Sequence, residues 1–121
     1  MSPLTLHATA DPEATRLEVL RLLAEQPELS QRELSRALGL SLGKTNYVLR
    51  ALLERGQLKM SNFRRSDRKL AYAYLLTPAG VREKLRLTRS FLLRKEAEFE
   101  RLQATLATLR AEVERETRAG R

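Results

Sequence analysis

Apolar residues follow two different rhythms along this chain. Over residues 12–56 they recur every three or four positions, the spacing of one face of a helix. Leu17, Leu20 and Leu23 or Ala24 form a first stripe, Leu34, Ala37 and Leu38 a second, and Thr45, Val48, Leu49 and Leu52 a third. After Gly56 the period falls to two. Leu58 and Met60 alternate with Lys59 and Ser61, and Leu70, Tyr72, Tyr74 and Leu76 alternate with Ala71, Ala73 and Leu75, which predicts two strands. From Val81 the helical rhythm returns as a strict alternation of four and three: Val81, Leu85, Thr88, Leu92, Lys95, Phe99, Leu102, Leu106, Leu109, Val113. The predicted order is therefore three helices, a hairpin and one long helix.

Punctuation residues set the boundaries. Asp11, Pro12 and Glu13 open the first helix as cap, first-turn proline and dipole-facing acid, and Gln26-Pro27 closes it. Ser30 with Glu33 forms an S-x-x-E capping box for the second helix. Gly39 occupies the place of a left-handed helix end, Leu40 crosses the turn and Ser41 caps the third helix, which stops at Gly56. Two short helices joined by so tight a turn form a helix-turn-helix. With the third stripe turned inward, Gly43, Lys44, Asn46, Tyr47 and Arg50 face outward. The polar tip RRSDRK joins the two strands, which makes the pair a basic-tipped hairpin. A hairpin placed there is a wing, and Arg64, Arg65, Arg68 and Lys69 are its candidate phosphate contacts. The alternative is a charge-rich, solvated turn.

Charge sharpens this picture. The chain of 121 residues carries 23 Lys+Arg against 15 Asp+Glu, a net +8, a balance that suits a polyanionic partner. Nine of the basic residues and only two acids lie between Arg36 and Leu76, a local excess of +7. The outward face of the third helix has matching chemistry. Ser41 and Gly43 present first-turn amides to a phosphate. Asn46 carries the donor and acceptor that pair with adenine, Lys44 and Arg50 reach guanine acceptors or phosphates, and Tyr47 packs on a thymine methyl or bonds a phosphate.

The long helix opens at Thr77-Pro78, as cap and first-turn proline, and extends to about residue 116, or about 58 Å at the helical rise. A domain of this size cannot bury such a length alone, so a second copy is the expected partner for Leu92, Phe99, Leu102, Leu106, Leu109 and Val113. Thr88 and Lys95 interrupt the seam, and with Leu87, Phe91 and Leu93 nearby they mark an expected passage of the helix from its own domain to the partner. The pattern leaves open a bend near residue 90 and whether the two helices run parallel or antiparallel. The competing arrangement is a long helix folded back on its own domain.

The segments QPELSQRELSRALGLSLGKTNYVLRALLERGQLK and AYAYLLTPAG resemble the MarR-type winged-helix transcription regulators. More narrowly, SLGKTNYVLRAL followed by NFRRSDRKLAYAYLLTPAGVREK looks like their small exopolysaccharide-associated branch. The likeness covers most of residues 15–100. It implies sequence-specific binding of double-stranded DNA by a homodimer, with the third helix in the major groove and the wing alongside. Larger MarR proteins shape a small-ligand pocket with helices at both termini. The ten residues before Asp11 leave dimerisation here to the C-terminal helix and leave a small-molecule effector open.

The expected fold class is thus mainly α with a small β-hairpin. Residues 1–10 form a disordered tail, 11–80 a winged helix-turn-helix DNA-binding domain, and 81–121 a long, coiled-coil-like C-terminal dimerisation helix. There is no cysteine and the one histidine, His7, lies in the tail without partners. Catalysis, a metal centre and a cofactor are therefore not expected. No apolar run approaches the roughly 20 residues of a membrane span, and the N-terminus lacks a signal-peptide core, which makes the cytoplasm the expected compartment. Two other functions share these features: a winged-helix module that binds protein, and a protein that coats DNA without sequence preference. The basic excess around the third helix and the hairpin counts against the first.

Overall fold

The computed structural model describes residues 11–64, 67 and 70–120. The expected tail with His7 and the wing-tip residues Arg65, Arg68 and Lys69 lie outside the described residues. The elements are α1 (Pro12–Glu25), α2 (Gln31–Leu38), α3 (Leu42–Glu54), β1 (Leu58–Arg64), β2 (Leu70–Leu76) and α4 (Pro78–Ala119). By internal contacts the chain divides into two compact units, Met1–Thr88 and Arg89–Arg121.

In the first unit the capping residues act as their positions predict. The Asp11 carboxylate accepts the Glu13 amide at 2.9 Å, and Ser30 and Glu33 exchange reciprocal bonds of 3.1 Å. Gly39 ends α2 at φ 67°, in the left-handed region that a side chain disfavours. The Ser41 hydroxyl oxygen then accepts the Lys44 amide at 3.0 Å and starts α3.

The core is wider than the stripes suggest. Besides Leu17, Leu20 and Leu23, α1 buries Ala14, Thr15, Glu18, Val19 and Leu22, because α2, α3 and β2 all pack around it. Ala24, the alternative to Leu23 as third member of that stripe, is exposed. In α2 the buried pair is Leu34 and Ser35, whereas Ala37 is exposed and Leu38 half-buried. Ser35 tolerates burial by donating its hydroxyl to the Arg32 carbonyl at 2.9 Å. The inward face of α3 is Thr45, Val48, Leu49 and Leu52, as expected.

The strands pair antiparallel, from Leu58 opposite Leu76 to Arg64 opposite Leu70. Burial is confined to the root of the hairpin, at Leu58, Ala73 and Tyr74, while Met60, Leu70 and Tyr72 are exposed. At the root, the Thr77 hydroxyl donates to the Gly56 carbonyl and accepts the Gly80 amide, which caps α4. Gly80 lies so close to β1 that a Cβ there would overlap the Gln57 carbonyl. Two side-chain links reinforce the junction: Gln57 donates to Glu83 at 3.1 Å, and Arg86 bridges Glu83 and Glu13.

The seam of α4 meets a different environment from the one expected. Val81 and Leu85, the first two seam positions, precede the expected passage at Thr88, yet they are 56% and 49% exposed. The buried large apolar side chains of the helix are Leu87 and Phe91 instead. Each precedes a seam position by one residue, a rotation of about 100°, so the heptad stripe is not the one the chain covers itself. In the second unit Leu92, Leu93, Phe99, Leu102, Leu106, Leu109 and Val113 are all exposed.

Candidate nucleic-acid interface

The exposed side of α3 is built from the helix N-terminus upward. Its first turn holds no acid. The amides of Leu42 and Gly43 have no acceptor within the helix, by their place in the first turn. Ser41 and Gly43 are both exposed, and no atom lies within 4 Å of where a Gly43 side chain would begin. An anion can therefore reach this positive helix end without steric hindrance.

One turn on, Tyr47 is 70% exposed, an unusual setting for so large a ring in the middle of a packed helix. The Lys44 ammonium sits 5.7 Å from its ring centroid, within cation–π range. Arg50 is exposed further along the face. Asn46, Tyr47, Arg50, Ala51, Glu54 and Arg55 line a shallow depression of about 440 Å³. A second, smaller hollow on the other flank of Tyr47 carries Lys44, Arg16 and Arg55.

Asn46 differs from its neighbours because it is anchored. Its side-chain amide donates to the Gln31 carbonyl oxygen at 3.2 Å, and the Gln31 amide donates to the buried Tyr74 hydroxyl at 3.2 Å. A chain of hydrogen bonds thus runs from the root of the hairpin, through the first residue of α2, to the outward face of α3. The Asn46 carbonyl oxygen and second amide hydrogen are left for a base edge, the pair of groups that adenine requires.

The structure brings Ser41, Gly43, Lys44, Asn46, Tyr47 and Arg50 together on one surface. Arg64 stands apart from them, exposed at the far end of β1. Three contributors escaped the sequence reading. Arg55 had a local signal, since Tyr47, Ala51 and Arg55 follow one another at four-residue spacing. Gln31 and Tyr74 had none, because their contacts join residues 15 and 43 positions apart.

Comparison with known proteins places this geometry. Residues 12–59 match the family described as winged helix-turn-helix DNA-binding. No curated protein matches the chain in sequence. Among solved structures, it is similar to the transcriptional regulator homologue from Pyrococcus horikoshii OT3, with 18% identity, 77% of this chain and 89% of that one covered and a TM-score of 0.55. It is also similar to a MarR/EmrR family transcriptional regulator from Acinetobacter sp. ADP1, with 23% identity, coverage of 84% and 75% and a TM-score of 0.55. MepR of Staphylococcus aureus, solved in complex with DNA, matches at 18% identity with coverage of 82% and 76% and a TM-score of 0.54. The fold is that of the MarR-type winged helix-turn-helix regulators. Among the described residues no helix is long and apolar enough to cross a membrane.

Proposed function

We propose that this chain is a sequence-specific DNA-binding transcriptional regulator of the MarR type that acts as a homodimer on an inverted-repeat operator. The observation that carries the reading is the surface of α3, where an unblocked helix N-terminus, two cations, an exposed aromatic ring and an anchored amide share one face. That MepR, a protein of the same fold, has been solved on DNA supports the assignment.

In this reading residues 11–80 form the DNA-binding domain. A backbone phosphate rests at Ser41 and Gly43, and α3 enters the major groove. Asn46 reads adenine, Lys44 and Arg50 reach guanine or phosphate, and Tyr47 meets a thymine methyl or a phosphate. Arg64, Arg65, Arg68 and Lys69 of the wing add phosphate contacts, which raise affinity without reading sequence. Residues 81–121 join two copies through Leu92, Phe99, Leu102, Leu106, Leu109 and Val113. A twofold dimer then reads two half-sites about one helical turn, ~34 Å, apart.

The test is a fluorescence-anisotropy titration of two labelled duplexes, the DNA upstream of the protein's own gene and a shuffled copy, at low and near-physiological salt. Tighter binding to the native duplex that persists as salt rises is the expected result. Equal and salt-fragile binding to both would identify a nonspecific coat or an operator elsewhere. Binding to neither would point to a protein-interaction module.

A further inference from the structure

One apolar surface of the first unit is built without any residue of α3. Leu23 and Pro27 at the end of α1, Leu76 at the end of β2, and Val81, Leu85 and Thr88 on α4 line an open groove of about 730 Å³. Lys59 and Lys84 contribute its cationic groups. We propose that this groove receives the distal end of α4 from a second copy, so that the two α4 helices of the dimer run antiparallel. The assignment rests on the homodimer reading above and goes beyond it by fixing direction, register and contact surface.

The heptad positions supply the first argument. One seam position holds Val81, Thr88, Lys95, Leu102 and Leu109, and the other holds Leu85, Leu92, Phe99, Leu106 and Val113. In an antiparallel pair the two kinds of position face each other. Placing Val81 against the partner's Val113 sets Leu85 against Leu109, Thr88 against Leu106, Leu92 against Leu102, and Lys95 against Phe99. Every seam residue is then covered, and the Lys95 ammonium meets an aromatic ring. A parallel pair would instead stack Lys95 on Lys95, a like-charge contact inside the seam. It would also leave the groove walls at Leu23, Pro27 and Leu76 without an occupant.

Charge supplies the second argument. Lys84 and Glu112 each precede a seam residue by one position, so the antiparallel register brings Lys84 beside the partner's Glu112 on the same flank. A parallel register would bring Lys84 toward Arg89. The same register also brings Glu98 beside the partner's Glu98 and, on the other flank, Arg82 toward the partner's Arg110 and Glu96 toward the partner's Glu96. All four residues are exposed, where solvent and salt screen their repulsion, unlike a Lys95–Lys95 contact inside the seam. The groove thus fits an apolar helical stripe edged by carboxylate, and residues 106–116 of a second copy, with Glu112 and Glu116, have that character.

The native chain has no cysteine, so each introduced thiol is unique, and a disulfide needs its two Cα atoms within about 7 Å. Leu85→Cys and Leu109→Cys are made as two separate full-length variants, checked for helix content, and oxidised alone and as an equimolar mixture. The expected result is covalent dimer in the mixture and none in either variant alone. Covalent dimer in each variant alone would establish a parallel pair and overturn the assignment. A dimer on sedimentation that forms no cross-link in any combination would give the groove to another occupant, with the same consequence. A native chain that sediments as a monomer would remove the homodimer reading itself. As a second measurement, Glu112→Lys should raise the dimer dissociation constant roughly five-fold, and Lys84→Glu in the same chain should restore it. Failure to restore would exclude this register.

Discussion

In the proposed mode of binding, Asn46 is oriented before it meets any base. A free asparagine side chain rotates and presents its oxygen and nitrogen in either order, so part of the energy of reading adenine is spent on fixing it. Here the bond to Gln31, itself held by Tyr74, fixes the amide in advance. Gln31→Ala should therefore lower the preference for adenine at the Asn46 position by roughly three- to ten-fold, within the ~1–3 kcal/mol that a bidentate base contact carries. Its salt dependence should not change, because no phosphate contact is lost. Anisotropy titrations against operators substituted at each base pair would measure both, and a discrimination profile identical to that of the native protein would remove Gln31 from the reading of sequence. The variant should also lose about 1 kcal/mol of stability, since the buried Tyr74 hydroxyl loses the Gln31 amide that donates to it.

At the scale of elements, the junction between the hairpin and α4 depends on close approach and on one carboxylate. Gly80 permits the approach, because any side chain there would meet the Gln57 carbonyl. Glu83 then secures it, with a side chain only 14% exposed. The bond from Arg86 and, after it, the bond from Gln57 hold the Glu83 carboxyl below its usual pKa, against the opposing effect of burial. A group whose pKa falls on folding adds stability above its unfolded value, about 4.3 for Glu, and that stability disappears as pH falls through the lower folded value. Native protein should thus lose more stability between pH 5 and pH 3 than Glu83→Gln, as urea midpoints across that range would show. Parallel losses in the two proteins would exclude Glu83 as a source of acid sensitivity. The caps of these elements were legible in the sequence because each is a local bond, as at Ser30 with Glu33 and at Ser41 with Lys44. So was the outward face of α3, because Thr45, Val48, Leu49 and Leu52 fix which side points in. Contacts between distant segments were not legible. The burial around α1, the need for glycine at residue 80 and the anchor beneath Asn46 all arise only when separate elements meet.

For the molecule as a whole, the proposed homodimer would link the operator and the C-terminal helix through effective concentration. When one half-site is bound, a joined second domain meets its own half-site at a local concentration of millimolar order, which multiplies affinity without any new contact. Leu102 and Leu106 are 55% and 38% exposed in the isolated chain, so Asp at both positions should leave the winged domain folded while placing four carboxylates in a dimeric seam. Desolvating them there is prohibitive, and the Leu102→Asp, Leu106→Asp double variant should sediment as a monomer. An unpartnered helix of this kind is only marginally stable in water, so helical circular dichroism should fall as well. On the native operator, affinity should drop by about 10²- to 10⁴-fold. The slope of log affinity against log salt should fall to roughly half, since one domain neutralises half the phosphates. On a single half-site the variant and the native chain should bind alike, which separates loss of joining from damage to α3. A double variant that still sediments as a dimer would place the interface outside this seam, and the groove assignment would fall with it.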